Sequence, residues 1–92
     1  MRVLSESLPT VNPDVVSQRV GEDVVLVHLK TNQIYALNET GARFWELLAK
    51  SLSRAEIESA LHAEFDVALE PLRREIDALV VDLERHDIVR TT

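Results

Sequence analysis

Residues 24–48, VVLVHLKTNQIYALNETGARFWELL, hold two apolar runs split by a polar turn, then an asparagine and an amphipathic stretch with the chain's only tryptophan. Val24 to Leu29 is short, rich in β-branched residues and almost unbroken, which favours a strand over a helix. Lys30-Thr31-Asn32 makes a tight polar connection, and Asn32 takes positive φ more cheaply than most residues. Gln33 to Leu37 then reads as the return strand of a hairpin. Asn38 follows as a helix N-cap, with Glu39 suited to the positive end of the helix dipole. The unit is strand, turn, strand, helix, and everything else must pack onto it.

Before this unit, residues 1–14 contain Pro9 and Pro13 and show no periodicity, so an irregular arm is expected, packing Leu8 or Val11 locally. Val15 to Val20 is a strand bounded by Pro13 and by Gly21-Glu22-Asp23. Three consecutive strands with short connections form an antiparallel meander whose first and third strands are edges. The first carries Gln18 and Arg19 and follows a proline, features that discourage further pairing. The third, Gln33-Ile34-Tyr35-Ala36-Leu37, has neither charge nor proline. It is a template for another strand unless the chain covers it.

After the meander the first helix is expected from Glu39 to Lys50, with Phe44, Leu47 and Leu48 on one face, Trp45 at its border and Gly41 close to the sheet. Ser53-Arg54-Ala55-Glu56 is a capping box that opens a second helix to Phe65, striped by Ile57, Ala60, Leu61 and Phe65. Pro71 suits the first position of a third helix that runs to His86. On it Leu72, Ile76, Leu79 and Leu83 share a narrow face, Val80 flanks that face, and Val81 points away. Ile88 and Val89 form a short extended tail. The fold class is therefore α+β: a three-stranded antiparallel sheet followed by three helices, like a winged helix-turn-helix, with its domain over residues 15–90.

That likeness raises the possibility of DNA binding, and charge argues against it. The net charge is −6. The third helix and its end carry Glu70, Glu75, Asp77, Asp82, Glu84 and Asp87 against Arg73, Arg74 and Arg85, so phosphates would repel it. Other functions lack their residues. With 92 residues and no cysteine there is room for one core, no disulfide and no thiolate metal site. His28 reads as structural or partly exposed, and His62 and His86 as solvated. No phosphate loop or nucleophile motif occurs. The expectation is a non-catalytic protein without cofactor or metal. With no signal-like or membrane-spanning run, the default location is the cytoplasm.

The residues Leu37-Asn38, Thr40-Gly41, Trp45 and Leu47-Leu48, in the pattern Leu-Asn-x-Thr-Gly-x-x-x-Trp-x-Leu-Leu, resemble the PqqD-like family, the RiPP recognition elements of ribosomal-peptide maturation. The likeness covers roughly residues 11–90, departing from the common pattern at Asn32 and Asp87, where glycine is frequent. It implies that a precursor's leader segment docks between the third strand and the third helix. The strand contribution then falls on Gln33, Ile34, Tyr35, Ala36 and Leu37.

For the groove wall, the helical wheel offers two flanks. Arg73, Asp77, Val80 and Glu84 lie on one, Glu75, Ala78, Asp82 and His86 on or toward the other. The apolar Val80 favours the first, with Ile76 and Leu83 as floor and Arg73 and Arg74 pairing with leader carboxylates. Val81 is left for a partner enzyme or for solvent.

Within the family, this version of the motif most resembles the stand-alone leader-binding protein of lasso-peptide biosynthesis. That resemblance implies a separate leader peptidase and a macrolactam cyclase as partners. A PqqD-type chaperone for a radical SAM enzyme and a small winged-helix regulator are the alternatives. The expected state is a monomer or a weak edge-paired dimer, bound to neither nucleic acid nor membrane.

Overall fold

The computed structural model describes residues 9–90. Its elements are β1 (Thr10–Val11), β2 (Val15–Val20), β3 (Asp23–His28), β4 (Ile34–Leu37), α1 (Glu39–Ala49), α2 (Arg54–Phe65), α3 (Leu69–Arg85) and β5 (Val89–Arg90). The meander is present as β2-β3-β4, antiparallel throughout. Its two hairpins turn where positive φ is available, at Gly21 (φ +65) and Asn32 (φ 61). Period-two alternation sorts β3: Val24, Leu26 and His28 are buried against the helices, while Val25 and Val27 face outward.

The helices start where side chains can cap them. The Asn38 carboxamide oxygen accepts from the Gly41 N–H at 3.0 Å, and Ser53 with Glu56 forms the full capping box. Gly41 also sits close to the sheet. A β-carbon there would lie 3.3 Å from Leu37 Cδ2, a tight contact that the leucine side chain would have to shift by a few tenths of an ångström to admit. The third helix departs from expectation: it begins at Leu69, two residues before Pro71, with Ala68 as an N-cap that supplies no side-chain bond. Pro71 thus occupies the third helical position, where its missing N–H still costs no intrahelical bond. Leu26, Phe44, Leu61, Leu72 and Leu83, each at most 1% exposed, mark the centre of the core. Leu79 is only half-buried, and Val81 is exposed as expected.

The expected irregular arm contains a strand. Thr10 and Val11 pair antiparallel with Arg90 and Val89; Leu8 lies outside the described residues. Asn12 fastens this junction. It is 1% exposed, its backbone N–H donates to the Ile88 carbonyl at 2.9 Å, and its carboxamide donates to the Asp87 carbonyl at 2.8 Å. His28, also buried, completes the cluster. Its Nδ1 accepts from the Lys30 N–H at 3.2 Å, which leaves Nε2 to donate to the Asp87 carboxylate at 3.1 Å. The histidine is therefore structural and on the core side of its strand. Asp87 itself turns the chain at φ 57, and Arg90, first, and His28 hold its carboxyl below the usual aspartate value.

Candidate functional site

The strand order leaves β4 bonded on one side only among the described residues. Which of its backbone groups are free follows from the ladder. The His28 N–H donates to the Gln33 carbonyl at 2.9 Å, and the register sets Tyr35 opposite Leu26 and Leu37 opposite Val24. Antiparallel bonding alternates, so Gln33, Tyr35 and Leu37 turn their backbone toward β3 while Ile34 and Ala36 turn theirs to the open edge. Side chains alternate independently. Ile34 (70% exposed) and Ala36 stand on the outer face, whereas Tyr35 and Leu37 point toward the helices.

Beside this edge lies a cleft of about 310 Å³, walled by Tyr35 and Leu37, by Gly41 and Phe44 of α1, and by Ile76 and Leu79 of α3. Glu75 and Ala78 form its helical lip. At one end the gap between sheet and helix is bridged: the Tyr35 hydroxyl donates a hydrogen bond to the Asp82 carboxylate. The His86 ring packs edge-on against Tyr35, with centroids 5.1 Å apart and planes at 66°. The backbone carbonyl of Asp82 lies 2.8 Å from His86 Nδ1. His86 is therefore half-buried against its neighbours and not simply solvated.

Burial first, then the hydrogen bond to Asp82 and its charge, pushes the Tyr35 phenol from 10.0 up to about 12. Between those values the folded state holds a proton that the unfolded chain has lost. Stability from this protonation is complete below pH 10 and is lost as pH rises toward 12. Tyr35 is the only tyrosine, so absorbance at ~295 nm reports it alone. The expected result is a midpoint near 12 in the native protein, moved back toward 10 in Asp82→Ala. A native midpoint at 10 would show that the bridge does not persist in solution.

The structure distributes the sequence-derived site residues unequally. Leu37 and Ile76 wall the cleft, Tyr35 bridges it, and Gln33, Ile34 and Ala36 lie along the exposed edge. The helical flank chosen on the wheel, however, faces α2 and not β4. Arg73 pairs with Glu58 at 3.1 Å and Asp77 with Arg54 at 2.7 Å, while Arg54 also holds Glu58 at 2.8 Å. Burial opposes the charge on Glu58, but Arg54 and Arg73 outweigh it and keep its pKa low. Val80 is half-buried against the core, Leu83 lies wholly within it, and neither Val80 nor Glu84 lines the cleft. Arg74 is exposed beside the α2–α3 charges. The flank beside β4 is that of Glu75, Ala78, Leu79 and Asp82. No local signal singled out this flank: the half-buried Tyr35 hydroxyl needs an acceptor, but Asp77 and Glu84 on the other flank offer carboxylates as well.

Among the described residues no group of three or more His, Asp or Glu is placed to hold a metal ion, and no helix is long and apolar enough to cross a membrane. What the site offers is backbone donors and acceptors beside an apolar slot.

The family model described as coenzyme PQQ synthesis protein D (PqqD) matches residues 23–89. The chain belongs to the PqqD family. That match runs from the start of β3 to the first residue of β5, and so takes in the whole of the β4–α3 site. The family, which includes the RiPP recognition elements, consists of non-catalytic peptide-binding proteins. A solved structure, "TbiB1 in Complex with the TbiA(beta) Leader Peptide", is similar over 87% of this chain and 93% of that one, with 29% identity and a TM-score of 0.81. The PqqD fold of sheet and three helices is thus shared over nearly the full domain. No curated protein matches the chain.

Proposed function

We propose that this PqqD-family protein is an adaptor that captures the leader segment of a ribosomally made precursor peptide and presents the remainder to modifying enzymes. One observation carries the reading: the Ile34 and Ala36 backbone, unpaired among the described residues, lies directly beside an apolar cleft shared with α3. An extended peptide laid along β4 gains main-chain hydrogen bonds, each worth about 0.5–1.5 kcal/mol net. A side chain entering the cleft adds roughly 1.5–3 kcal/mol of apolar burial. The TbiB1 structure supports the assignment, because that similar protein was solved with a leader peptide.

The proposed contacts are the β4 edge and the Glu75, Ile76, Ala78, Leu79 and Asp82 face of α3. For the finer pathway, the Leu-Asn-x-Thr-Gly-x-x-x-Trp motif favours lasso-peptide maturation, with a leader peptidase and a macrolactam cyclase as recipients. The PQQ description of the family favours the second reading, delivery to a radical SAM enzyme. The open β4 edge beside a cleft weighs against a peptide-free winged-helix regulator.

An amide NMR titration with the leader of a precursor encoded beside this gene tests the proposal. Shifts should concentrate at residues 34–37 and 75–82, sparing Arg54 and Glu58. Absence of shifts at saturating peptide would reject it for that precursor, and shifts on α3 induced by duplex DNA would favour the regulator.

A further inference from the structure

We propose that the Tyr35–Asp82 bridge is a selectivity bar, which requires a small side chain in the bound peptide two residues from its apolar anchor. The inference rests on strand addition at β4. An added strand presents alternate side chains to the helices with the same two-residue period as β4. β4 offers two inward positions. Beside Leu37 the sheet and α3 stand apart and enclose the cleft, so a large apolar side chain is admitted there. Beside Tyr35 they are joined, because the phenol reaches α3 and bonds Asp82.

The bar is braced and not a loosely placed ring. His86 packs edge-on against the ring, with centroids 5.1 Å apart, and is itself set beside the carbonyl of Asp82. Displacing the bar would strip a half-buried hydroxyl of its charged acceptor. The raised phenol pKa agrees with that enclosure. The second inward side chain of the peptide is therefore Gly, Ala or Ser in preference to Leu, Ile or Phe. Exclusion by a clash is a recognised source of specificity alongside attraction by a pocket.

A displayed library of random twelve-residue peptides, selected on the immobilised native chain, supplies the probes, and amide shifts at residues 34–37 identify those bound on β4. The wild type should enrich a large apolar residue followed or preceded, two positions away, by a small one. Two synthetic peptides that differ only by Ala or Leu at the small position are then compared. The wild type should prefer Ala by roughly tenfold or more, and Tyr35→Phe and Asp82→Ala should each reduce that ratio to near one. Both variants are checked for native amide spectra. Should Asp82→Ala fail to fold, Tyr35→Phe carries the comparison, since it keeps the ring and loses only the bond. Peptides bound on β4 with large residues at both positions, or a ratio unchanged in Tyr35→Phe, would overturn the bar while leaving strand addition intact. Enriched peptides that never shift residues 34–37 would overturn both.

Discussion

Ala36→Pro is expected to lower leader-peptide affinity ~10- to 100-fold while the domain stays folded. Proline removes one backbone N–H and places its ring where that hydrogen was. In most strand positions this would break the sheet. At Ala36 it does not, because the ladder turns this residue's N–H away from β3, and proline is tolerated on the solvent side of an edge strand. Tyr35, the residue before it, already has the extended backbone that proline imposes on its predecessor. The whole loss should therefore appear in binding: the peptide carbonyl that faced Ala36 is left without a partner, at about 1–3 kcal/mol. Titration calorimetry against wild type, with a thermal melt of both, separates the two effects. Unchanged affinity with an unchanged melt would place the peptide elsewhere.

Phe44→Ala is expected to produce the largest loss of stability, about 3–5 kcal/mol. Phe44 is 1% exposed and lies both in the core and on the floor of the cleft. Its removal opens an internal void that joins the cleft. In a domain of this size the melting temperature should fall by roughly 15–30 °C. Trp45, the only tryptophan and 7% exposed, provides the fluorescence reporter. A fall of under ~5 °C would mean that the site collapses around the gap and that the cleft floor is plastic.

The parts of this fold that were legible in the sequence are those written in neighbouring residues. Val15–Val20 is bounded by its own turn residues, Asn38 and Ser53 cap within three positions, and Asn32 meets its left-handed turn as anticipated. The parts that were not legible depend on distant chain. His28 could be placed only once Asn12 and Asp87 were known to meet it. The two-residue β1 is too short to leave a pattern, and β5 was legible only as an extended tail at Ile88 and Val89, without its partner. The site shows the same division. The exposed strand edge was readable because absence of charge and proline is a local property. The facing side of α3 was not, because a wheel divides a helix into flanks without saying which neighbour each one meets. Val80 drew attention to the flank that the Arg54–Glu58–Arg73–Asp77 network commits to α2.

The pairing of Thr10 with Arg90 brings the two ends of the described chain side by side. Polypeptide entering at residue 10 and leaving at residue 90 does so through one two-stranded pairing, whose residues do not line the β4–α3 cleft. Such a domain can be spliced into a surface loop of another protein as readily as it can be joined at either end, because neither junction must span the molecule. A circular permutant linking residue 90 to residue 10 through a few glycines, and opened at the Gly21 turn, needs no rearrangement of the cleft. Joining the ends also removes chain entropy from the unfolded state, and so offers a route to a more stable form of this domain.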